Sequence, residues 1–132
     1  MKVILINCSQ ELTNEIQETF PTDNISSREN ANLKVYASSV VHSIKTTDLV
    51  IVLLNKDTFN ITSILTLLAL AKEDVSKICL LIDTQFMSKE EESLLDDVID
   101  DITDFISCVI IDDFPQIPIT IINYIGNYKK TY

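Results

Sequence analysis

Thr47-Asp48-Leu49-Val50-Ile51-Val52-Leu53-Leu54-Asn55 is the stretch on which the reading of the fold turns. Six apolar residues in succession, three of them β-branched, lie between a polar lead-in and a polar exit. The run is too short for an ordinary buried helix. It suits a strand covered on both faces, as in the middle of a parallel sheet. Such a sheet needs helices above and below, so the flanking sequence should carry helical periodicity.

Upstream, Val3-Ile4-Leu5-Ile6 reads as a first buried strand that ends at Asn7. Ser9 is placed to cap a helix, on which Leu12, Ile16 and Phe20 recur every four residues before Pro21 closes it. Asn24-Ile25-Ser26-Ser27 has apolar content for only a short strand at a sheet edge. Leu33, Ala37, Val40 and Ile44 then step by four, three and four, a second amphipathic helix that delivers the chain to the central strand.

Downstream, no charge occurs between Asp57 and Lys72. Ile61, Ile64, Leu65, Leu67, Leu68, Leu70 and Ala71 would cover nearly the whole circumference of a helix there. A helix resting on a sheet buries one stripe, so this run predicts a cover, either more of the same domain or a second copy in a homodimer. Ile78-Cys79-Leu80-Leu81-Ile82 is the next strand, ending at Asp83. Ser88-Lys89-Glu90-Glu91 is a capping box, opening a helix with Leu95, Val98, Ile99, Ile102 and Phe105 inward. Cys108-Val109-Ile110-Ile111 is the last strand. Pro118 can start a final helix that buries Ile121, Ile122 and Ile125 and carries Lys129 and Lys130 near its C-terminal dipole. Alternating strands and helices with right-handed crossovers predict one α/β domain over residues 1–132. It should have three layers, a flavodoxin-like arrangement of five parallel strands in the order 2-1-3-4-5.

Composition bounds the partners. A formal net charge of −10 and a single arginine, Arg28, argue against a nucleic-acid binder, which needs a basic face. From Glu73 to Asp113 thirteen acids stand against two lysines. Their bland reading is a solvated surface. The sharper one is a docking face for a basic protein partner, with Asp96, Asp97, Asp100 and Asp101 at its centre. No apolar run is long enough for a membrane span and no signal-peptide pattern opens the chain, so a cytoplasmic protein is expected. Cys8, Cys79 and Cys108, odd in number and widely spaced, read as small core residues before they read as disulfides or metal ligands.

In an open α/β sheet, ligands sit outside the carboxyl ends of the strands. The ligand-binding candidates here are therefore Asn7, Cys8 and Ser9, then Asn55 and Asp57, then Asp83, then Asp112. Their carboxylates could hold magnesium, although strand-end acids also commonly cap the helices that follow. The single glycine, Gly126, lies in the last helix, which excludes a phosphate-binding loop and a dinucleotide fingerprint. His42, the one histidine, sits on a predicted helix beside Val41 without a plausible serine or cysteine partner in the local sequence, so a triad is not expected. Cys8 follows the first strand as a candidate exposed thiol, with no cation nearby in sequence to activate it.

The run from Ser43 to Asn55, followed by Phe59, Ser63 and Leu68-Ala69-Leu70-Ala71, resembles the core of bacterial TIR domains and of nucleoside 2-deoxyribosyltransferases. Those families carry an Ile-x-x-Ser/Ala-Asp approach to a hydrophobic strand, then a serine or glycine and a helix bearing the catalytic glutamate. Val3 to Ser9 also fits their first strand and short polar loop, and together the match covers about half of the chain. By that resemblance the glutamate falls at Ala69, or at Leu67 on the deoxyribosyltransferase pattern, and neither side chain can act as acid, base or nucleophile. Glu73, a turn beyond, is the nearest acid. The strand from Asp48 to Asn55 also looks like the third strand of response-regulator receivers, whose phosphoacceptor aspartate would fall at Leu53 and whose acid pair would fall at Asn7 and Cys8.

Both resemblances imply a familiar scaffold without its reactive residues. The expectation is a TIR-like interaction or regulatory module without a cofactor, acting through a protein partner or by dimerising through Ile61, Ile64, Leu67 and Leu70. The alternatives are an enzyme acting on N-glycosidic bonds, of NAD hydrolase or deoxyribosyltransferase type, with Glu73 or Asp83 as a relocated acid, and a pseudo-receiver regulator.

Overall fold

A computed structural model of the chain describes residues 1–28, 46–54, 78–85, 87–103, 107–111 and 116–131. These form β1 (Lys2–Ile6), α1 (Gln10–Thr19), β2 (Asn24–Arg28), β3 (Leu49–Leu54), β4 (Ile78–Asp83), α2 (Lys89–Thr103), β5 (Ser107–Ile111) and α3 (Gln116–Thr131). The strands make one sheet in the order β2-β1-β3-β4-β5, and every neighbouring pair is parallel. This is the flavodoxin-like α/β arrangement that the alternation of elements predicts.

The central strand behaves as its composition requires. All six residues of β3 are buried, as are all six of β4, because both lie between neighbours and under cover on both faces. Successive side chains point to opposite faces of a strand. Val3, Leu5, Leu49, Ile51, Leu53, Cys79 and Leu81 accordingly share one core with Ile16 of α1 and Ile117, Ile121 and Ile125 of α3. Ile4, Ile6, Val50, Val52, Leu54, Ile78, Leu80 and Ile82 are buried on the opposite face. The short edge strand β2 buries Ile25 and exposes Asn24 and Ser26, the half-covered pattern expected there.

The helix boundaries follow from capping. The Ser9 hydroxyl accepts from the Leu12 amide at 3.1 Å, and the N–H of Phe20 donates to the Ile16 carbonyl to close α1 just before Pro21. At the other box, the Glu91 amide donates to the Ser88 hydroxyl and the Ser88 amide donates to the Glu91 carboxylate, each at 3.1 Å. Leu95 of α2 is buried as predicted. The last helix begins at Gln116, two residues ahead of Pro118, which is tolerated because first-turn amides have no partner inside the helix. Ile117 joins its buried stripe, while Ile122 is only half buried.

The amino end of the sheet is tied by polar contacts. Asp48 accepts from the Lys2 amide through its carboxylate at 2.8 Å and donates its own amide to the Lys2 carbonyl at 2.9 Å. The Tyr128 hydroxyl of α3 donates to the Asp48 carbonyl at 2.9 Å. Asp23, in the turn before β2, is buried, and its two oxygens take the Met1 ammonium at 2.8 Å and Lys129 of α3 at 2.5 Å. Those bonds hold its carboxyl below the usual carboxylate range, the Lys129 ammonium being the larger cause. Gln17 completes this corner, donating to the Phe20 and Asp23 carbonyls and accepting from the Ile25 amide. No helix among the described residues is long and apolar enough to cross a membrane.

Candidate functional site at the carboxyl end of the sheet

At the opposite end the chain leaves β1 through Asn7, whose φ of 63° lies in the left-handed region. Asparagine tolerates that conformation better than most residues because its short amide can bond locally. Here the amide donates to the Leu53 carbonyl at 3.3 Å and so ties the exits of β1 and β3 together. The turn has a consequence for the next residue. Cys8 is rotated into the core between the sheet and the helices, 1% exposed, with its Sγ 3.7 Å from the Ile6 carbonyl. Burial pushes its thiol up to about 12. The candidate exposed thiol is thus a core residue, a correction caused by backbone geometry that the local sequence does not advertise. Cys79 is likewise buried and in no disulfide, in agreement with its strand context.

Around this exit lies a cavity of about 330 Å³, lined by Asn7, Ser9, Glu11, Leu12, Glu15, Leu53, Ile117 and Pro118. Its position follows from topology. The exits of β1 and β3 form its base, and the first turns of α1 and α3 supply its walls, so it sits where ligands of open α/β sheets bind. Leu53 and Ile117 are buried and give it an apolar floor, whereas Glu11 and Glu15, one helical turn apart on α1, are exposed at its rim. Among the residues whose side chains are described, neither carboxylate has an ion-pair partner. The Lys2 and Lys129 ammonium groups belong to the other end of the domain, at the start of β1 and beside Asp23.

Of the sequence-derived candidates, Asn7 and Ser9 line this cavity and Cys8 does not. Ser9 spends its hydroxyl on the α1 cap. Asp83 is buried, and its carboxylate accepts from the Gln85 amide at 2.9 Å, the loop-closing role common to strand-end acids. Asn55, Asp57, Glu73 and Asp112 lie outside the described residues, as do Ile61, Ile64, Leu67 and Leu70. Asp96, Asp97 and Asp100 are exposed along α2, and Asp101 belongs to the same helix. No three His, Cys, Asp or Glu side chains gather, among the described residues, where they could hold a metal ion. Sequence reasoning missed Glu11, Glu15, Ile117 and Pro118. The available signal was the spacing of Glu11 and Glu15, which puts both on one face of a helix that starts at a strand exit.

The domain defined by this sheet and its strand-end cavity is a flavodoxin-like α/β domain. Comparison of the chain with protein-family models, with curated proteins and with solved structures returned no match.

Proposed function

We propose that this domain works by non-covalent binding, as a TIR-like interaction or regulatory module for a protein partner. The observation that carries the reading is what occupies the exit of β1, where a receiver or a glycosidic enzyme would place polar groups to contact its substrate. There the Asn7 amide is engaged with the Leu53 carbonyl and the Cys8 thiol is buried and held protonated. Among the described residues, the cavity beside them has an apolar floor and a carboxylate rim, a surface suited to recognition. The exposed acids of α2 and the net charge of −10 favour a basic partner.

The test is affinity capture with the whole chain at low and raised salt, followed by a direct binding titration with the protein recovered. A basic partner whose affinity falls with salt, and falls again when Asp96, Asp97, Asp100 and Asp101 are reversed to lysine, supports the reading. A partner that ignores both changes makes those acids solvation alone.

A further inference from the structure

We draw no further inference here: the strongest candidate, the outward surface patch of α3 on which the exposed Ile119 shares a face with Gly126, carries none because nothing in the structure shows what covers it.

Discussion

The carboxylate of Asp48 and the backbone amide of Lys2 meet at 2.8 Å, and the Asp48 amide returns a bond of 2.9 Å to the Lys2 carbonyl. This reciprocal pair sets the register of β1 against β3, in which Val3 lies opposite Leu49, before the first buried residue of either strand. It sits at the end of the sheet away from the cavity. Asp48 is therefore a structural residue, in keeping with its place at the head of the central apolar run.

Asp48→Asn keeps the shape but weakens the bond to the Lys2 amide. Its expected cost is about 1 kcal/mol, the ordinary worth of a partly exposed charge-assisted hydrogen bond. Chemical denaturation should show a lower midpoint with an unchanged slope, and partner affinity should stay at the wild-type value. Lost affinity at unchanged stability would contradict the structural role.

Asp23 gives stability a defined pH dependence. Its carboxyl lies below its ordinary value in the folded chain, through Lys129 first and then the terminal ammonium. A depressed carboxyl contributes stability that is present above its unfolded value of about 3.9 and is lost as pH falls through the folded value. Melting curves of the wild type should thus drop steeply on acidification below about pH 4. Asp23→Asn should start from a lower midpoint at neutral pH and show a shallower acid limb. Parallel limbs for the two proteins would contradict this origin.

Cys8 should be inert in the native state. With its thiol buried and pushed up to about 12, thiolate is scarce at pH 8, so iodoacetamide labelling followed by mass spectrometry should find Cys8 unmodified until denaturant is added. Labelling at the rate of a free thiol in the native protein would contradict the inward orientation. Cys8→Ser should destabilise the fold by about 1–3 kcal/mol, since it buries a hydroxyl in place of a small apolar group.

The sequence from Thr58 to Ala71 predicts self-association on its own grounds, because fourteen residues pass without a charge. Sedimentation equilibrium should find a dimer, and Leu67→Glu or Leu70→Glu should give a folded monomer. A wild type that stays monomeric at high concentration would assign those leucines to cover within one chain.

How far the sequence could be read follows from the range of each signal. Strand order came from the unbroken apolar runs of Val3–Ile6, Leu49–Leu54 and Ile78–Ile82, since only strands covered on both faces carry such runs. Caps at Ser9 and at Ser88 with Glu91 were legible because each depends on residues three apart. For Cys8 the residue type pointed to the core while its place at a strand exit pointed to an exposed thiol, and the core reading holds. Its inward orientation depends on a left-handed turn at Asn7, and asparagine adopts that conformation only in some contexts. The cavity was legible in place but not in lining. Topology points to the strand exits, whereas Ile117 and Pro118 reach them from more than sixty residues beyond Leu53, a proximity created by folding alone. The start of α3 at Gln116, ahead of Pro118, shows the usual ambiguity of a first turn.

The central claim is that the carboxyl end of the sheet recognises and does not react. It is tested most directly by incubating the whole protein with NAD and with 2′-deoxynucleosides and measuring released base by chromatography. The account predicts base release no faster than in buffer, for the wild type and for Asp83→Asn and Glu73→Gln alike. Release that is catalytic in protein and disappears in either variant would contradict it and make the domain an N-glycosidic enzyme with a relocated acid.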